Sequence, residues 1–147
     1  MARFNFRLES ILNLKAKVED LRKNEFGRAM AILEQERHKK AQLEAAKEQT
    51  IQTLREQIIK GIGYLAINSY NQYIETTKRR IFAQERVILK AEADVETARV
   101  ALVEAMRDRK TLDILKDKDY EEFLIEEKKE EQKVVDEIVT YRTGKGS

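Results

Sequence analysis

The sequence predicts an all-α chain, two long helices folded back on each other as an antiparallel coiled-coil hairpin. Three observations carry this. From Ile67 to Leu112 a stripe recurs in steps of three and four with no slip in phase: Ile67, Tyr70, Ile74, Thr77, Ile81, Gln84, Ile88, Ala91, Val95, Ala98, Leu102, Ala105, Arg109, Leu112. Only Thr77, Gln84 and Arg109 break its apolar character, so this is the heptad seam of a helix that needs a partner helix. Proline, which costs about 3 kcal/mol in a helix interior, is absent from the 147 residues. Gly61 and Gly63 stand together near mid-chain, where glycine can end a helix and let the chain reverse.

The elements follow in order. Asn5 is placed to cap a helix starting at Phe6, its side-chain oxygen accepting an unpaired amide of the first turn. From there Leu8, Ile11, Leu12, Leu14, Val18 and Leu21 keep helical spacing, followed by Phe26, Ala29, Ile32 and Leu33. The stripe weakens across the polar run from Gln35 to Lys40 and resumes at Leu43, Ala46, Leu54 and Ile58. This reads as one helix from about residue 5 to 60. The S-x-x-Q spacing of Ser69 and Gln72 resembles a capping box, which puts the turn at about 61–68 and a second helix at about 69–141. The turn is rich in apolar residues, Ile62, Tyr64, Leu65 and Ile67, and Ile62, Tyr64 and Leu65 with Tyr70 and Tyr73 either plug the end of the seam or offer a contact surface there. A tail, 143–147, is expected to be disordered.

A turn centred near residue 63 sets opposed positions that sum to about 127. Leu54 then faces Ile74, Ala46 faces Ile81, Ile32 faces Val95, Ala29 faces Ala98, Leu12 faces Leu115 and Phe4 lies near Phe123. At about 1.5 Å per residue the single domain, 1–142, is a rod about 110 Å long. The second helix runs on about 20 residues past Phe123 with no partner in the hairpin. This overhang carries the charge block Glu126-Glu127-Lys128-Lys129-Glu130-Glu131 and then Val134, Val135, Ile138, Val139 and Tyr141. The hairpin could also pair with a second copy of itself.

Composition narrows the function. Charged residues make up 38% of the chain and cysteine is absent, which excludes a disulfide scaffold and a thiolate metal site and suits a reducing cytosol. No run of 18 apolar residues occurs and the start lacks the apolar core of a signal peptide, so the expectation is a cytoplasmic chain with no membrane insertion. The one histidine, His38, has Gln35 three positions before it, so the Glu-x-x-His pattern of a helix-borne di-metal site fails. No glycine-rich phosphate cradle is present, and no carboxylate sits where a cleft would desolvate it for acid–base work. The reading is no enzyme and no cofactor. Lys78-Arg79-Arg80 and Arg86 form a basic group on the second helix, but both signs are interspersed and the net charge is only +2. A solvated charged face explains them better than nucleic acid.

The chain starts Phe4-x-Phe6-x-Leu8-Glu9-x-x-Leu12 and restarts after its turn with Tyr70-x-x-Tyr73-Ile74. Further on it carries Val95-x-x-Ala98-Arg99-x-x-Leu102, Lys110-x-Leu112 and Glu131-Gln132-Lys133-x-x-Asp136-Glu137. In these motifs, over nearly its whole length, it resembles the FliJ family, the soluble stalk proteins of the flagellar type III export apparatus. The polar Thr77 and the run from Gln35 to Lys40 depart from that pattern.

The resemblance implies a non-enzymatic stalk similar to the central subunit of rotary ATPases. Its partners would be the hexameric export ATPase, the cytosolic domain of the export gate and other export chaperones, with a chaperone-escort role. It would be cytoplasmic and held peripherally at the inner face of the membrane at the flagellar base. On this reading Tyr70, Tyr73, Thr77, Arg80 and Gln84, near the turn, would meet the gate. Tyr70 lies in the seam register and Tyr73 beside it, freer to bind. Phe4, Phe6, Phe123, Val134, Val135 and Ile138, where the termini meet, would meet the ATPase ring. The rival reading is a general coiled-coil adaptor or holdase chaperone.

Overall fold

The computed structural model describes residues 2–145. It contains two helices packed against each other, α1 (Glu9–Lys60, 52 residues) and α2 (Tyr64–Lys145, 82 residues), and no strand among the described residues. The all-α hairpin is therefore the fold, with boundaries that differ from the sequence reading. Asn5 does not open α1. The chain first turns through Phe6, whose carbonyl accepts the Glu9 amide at 3.1 Å and whose ring is buried, and Glu9 then places a carboxylate at the positive end of the helix.

The reversal takes three residues, Gly61–Gly63, rather than about eight. Gly61 has φ +86° and donates its amide to the Ile58 carbonyl at 3.1 Å, a left-handed stop that L side chains resist. The Gly63 carbonyl accepts the Ile67 amide at 3.2 Å, which opens α2. Ser69 thus lies inside the helix, and its hydroxyl donates back to the Leu65 carbonyl at 3.1 Å instead of capping an amide. At the other end α2 is helical through Lys145, so the expected tail is replaced by helix as far as described. Residues 146 and 147 lie outside the described residues.

Two compact units make up the chain, and both helices contribute to each. In the unit Arg22–Leu102 the seam is built from Leu33, Leu54, Ile74, Ile81, Ile88 and Ala91, all buried. Leu33, Ile88 and Ala91 form one cluster with Val95 packed against it. Ile32, expected opposite Val95, is instead 52% exposed, because the seam of α1 runs through the next residue. Ion pairs Arg37–Glu92 (3.5 Å) and Lys40–Glu85 (3.4 Å) flank this seam.

The other unit comprises Met1–Leu21 and Val103–Ser147. Phe6, Leu12 and Ala105 are buried in it. Lys116 bonds Glu9 at 3.0 Å and Lys15 approaches Asp108 at 3.7 Å. Phe4 packs on Tyr120 and Phe123 with ring centroids 5.1 and 5.5 Å away. The Phe4–Phe123 contact is the one the sequence leads one to expect. Elsewhere the pairs fall on both sides of that register: Lys40 meets Glu85 and Glu9 meets Lys116, nearer the turn than expected, whereas Arg37 meets Glu92 and Glu19 meets Arg109, further from it. Leu115, expected in the seam opposite Leu12, is 40% exposed.

Candidate functional site

The candidate surfaces lie in separate units. In the unit that holds the chain ends, Phe6 is buried in the hairpin and Phe4 and Phe123 are half-buried against each other. These rings therefore build the end of the hairpin, with Tyr120 alongside. Past Phe123 the exposure changes. Leu124, Ile125, Val134, Val135, Ile138 and Val139 are each about half exposed, because α1 supplies nothing opposite them. Of the residues expected to meet a ring, Val134, Val135 and Ile138 are thus available, whereas Phe6 is not.

In the other unit the residues near the turn sort in the same way. Tyr70 is half-buried and Tyr73 is 48% exposed. With Thr50 and Ser69 they line a shallow hollow of about 350 Å³. Thr77 is 2% exposed and donates its hydroxyl to the Tyr73 carbonyl at 2.9 Å, so it belongs to the seam and not to the surface. Gln84 is likewise committed: its amide nitrogen donates to the Glu36 carbonyl at 2.8 Å and to the Glu36 carboxylate. Arg80 is exposed. The apolar turn residues do not all plug the seam. Ile62 and Ile67 are half-buried, while Tyr64 and Leu65 stand about four-fifths exposed beside an equally open Ile59.

The polar layers within the seam escape a reading based on apolar periodicity. Glu19 is 5% exposed and accepts a hydrogen bond from Arg109, which also donates to Asp113. Glu36 and Gln84 form a second such layer. The Gln84 hydrogen bond, with help from Lys39, holds the Glu36 carboxyl below its ordinary range. A signal was present in Gln84 and Arg109 of the α2 stripe, since a polar side chain at a seam position needs a hydrogen-bond partner and theirs lie on α1, whereas Thr77 is satisfied within α2. Arg99 lowers the pKa of its neighbour Glu96 by hydrogen bonding within α2, on the exposed face.

Among the described residues no group of three or more His, Cys, Asp or Glu side chains is placed to hold a metal ion, and no helix is long and apolar enough to cross a membrane. Two long, heavily charged helices packed as a hairpin define a coiled-coil protein. Residues 4–146 match the family of flagellar FliJ proteins, and the chain belongs to that family, a component of the flagellar type III export apparatus. It is also similar to the solved structure described as a YscO homologue, CT670, from Chlamydia trachomatis. The TM-score is 0.65 at 25% identity, covering 92% of this chain and 93% of that one. No curated protein sequence gave a significant match.

Proposed function

We propose that this chain is the coupling stalk of its export apparatus, engaging the hexameric export ATPase through the bare end of α2 and the cytosolic domain of the export gate through the region beside the turn. The observation that carries this is the stretch of α2 beyond Phe123, where apolar side chains stand half exposed on a helix with no partner in its own hairpin. An isolated helix of that length is marginal in water, and a ring pore would cover it. The acidic balance of 117–137 suits a basic pore lining. At the turn, Tyr73 and Arg80 are accessible while Thr77 and Gln84 hold the seam beneath them, so Tyr73 and Arg80 make the gate contact and Thr77 and Gln84 support it. The chain is then a non-enzymatic part held at the inner membrane face by its partners, and export chaperones can share the same exposed residues. Co-purification of the full chain with the export ATPase tests the reading. A stable complex supports it, and capture of many unfolded clients without the ATPase would favour a general holdase.

A further inference from the structure

Past Phe123 the sequence of α2 is complementary to its own reverse. About a two-fold axis between Lys129 and Glu130, Leu124 falls opposite Val135 and Ile125 opposite Val134, while Lys128 meets Glu131, Glu126 meets Lys133 and Lys129 meets Glu130. In these five pairs apolar meets apolar and acid meets base, whereas Glu122 falls opposite Glu137 and Phe123 opposite Asp136, away from the helix face that holds Leu124 and Val135. The positions Asp117, Glu121, Leu124, Lys128, Glu131, Val135, Ile138 and Arg142 advance in steps of four and three, the spacing of one helix face, and the two-fold maps that face onto itself. Its outer pair, Asp117 with Arg142, is again opposite in charge; Glu121 opposite Ile138 is the one mismatch on it. All eight are exposed in the hairpin, and Phe4 covers the neighbouring Tyr120 and Phe123 instead.

We infer that residues 117–142 of α2 are an interaction surface for a second copy of this chain, paired antiparallel about that axis. Charge chooses the occupant and the direction. A parallel, in-register pair would set Glu126 against Glu126 and Lys128 against Lys128, whereas the antiparallel pair neutralises each block with its own image. Leu124 and Val135, each about half exposed in the single chain, then cover each other twice, once on either side of the axis. This concerns the free chain and stands whether or not a ring ever encloses α2.

Sedimentation equilibrium of the full chain over a wide concentration range tests it, with helicity followed by circular dichroism. A monomer–dimer equilibrium is expected. Lys128→Glu should raise the dimer dissociation constant about tenfold or more, equivalent to about 1.4 kcal/mol, because the two-fold axis repeats the damaged pair. Adding Glu131→Lys to Lys128→Glu should restore it, since the swapped charges still face each other. The chain has no cysteine of its own, so mixing a Leu124→Cys chain with a Val135→Cys chain should give a disulfide-linked pair under mild oxidation. A monomer at every concentration, a Lys128→Glu chain that dimerises as tightly as the parent, or preferential linkage of Leu124→Cys to itself would overturn the inference.

Discussion

Glu19 of α1 and Arg109 of α2 are joined across the seam, with the Glu19 carboxylate almost wholly withdrawn from water and Arg109 also held by Asp113. Removing Glu19 leaves Arg109 to Asp113 alone and strips it of its acceptor across the seam, while replacing both members of a buried pair with apolar side chains is often neutral or stabilising. Glu19→Ala should therefore lower the thermal midpoint by on the order of 5 °C. Glu19→Leu with Arg109→Leu should recover it or exceed it. Thermal melts of the two variants read the outcome, and equal losses in both would mean that the layer acts by packing alone.

The carboxyl of Glu36 is held below its ordinary value of 4.5, first by the hydrogen bond from Gln84 and then by Lys39. A folded-state pKa below the unfolded one gives stability that is complete above the unfolded pKa and is lost as pH falls through the folded one. The parent chain should therefore lose thermal stability as pH drops below about 4.5. Glu36→Gln should flatten part of that acid limb and leave the neutral-pH side level. Melts at a series of pH values from 7 to 3 compare them, and superimposable acid limbs would remove Glu36 from the linkage.

The two turn glycines should respond in opposite directions. Gly61 needs its positive φ, so Gly61→Ala should destabilise by about 1 kcal/mol, even though no atom lies within 4 Å of the added Cβ. Gly63 has no positive φ and precedes the first turn of α2. Gly63→Ser adds a side-chain acceptor for that turn and should stabilise by a few tenths of a kcal/mol. Denaturant midpoints of the two variants give the sign directly.

How much of this was legible in the sequence depends on the helix. Every position of the α2 stripe from Ile67 to Leu112 is buried or half-buried, because apolar residues dominate that seam and fix its phase. On α1 the apolar pattern misleads. Ile11, Leu14, Leu21, Ile32 and Ile58 are exposed, whereas Lys15, Glu19, Arg22, Glu36 and Lys40 are half-buried or buried. Charged residues occupy the α1 seam because α2 supplies opposite charges or hydrogen bonds at several of those positions: Asp108 for Lys15, Arg109 for Glu19, Gln84 for Glu36 and Glu85 for Lys40. Such pairing is a property of two helices in register, so the pattern of one helix read alone cannot reveal it. Of the proposed contact residues, the exposure of Tyr73 and of the α2 end was readable. That Thr77 and Gln84 are held inside the seam was not, because a polar residue on a stripe can equally mark a gap in it.

Near the turn, buried and exposed positions should separate stability from binding. Tyr73→Ala and Arg80→Ala change exposed side chains and should leave the melting temperature within about 2 °C while weakening association with the export gate. Thr77→Asp puts an unpaired charge where the side chain is 2% exposed and should destabilise the hairpin itself. Titration calorimetry against the gate domain, paired with melts, distinguishes the two. Unchanged gate affinity in folded Tyr73→Ala protein would count against that surface.

The central claim is that the partnerless end of α2 carries the ATPase contact, and removing it is the direct test. A chain ending at Leu124 retains α1, the turn, the seam and the Phe4–Tyr120–Phe123 cluster, so its melting temperature should stay within about 3 °C of the parent's. Its affinity for the hexameric export ATPase, measured by surface binding of the assembled ring, should be lost. A truncated chain that binds the ring as tightly as the full one would contradict the account.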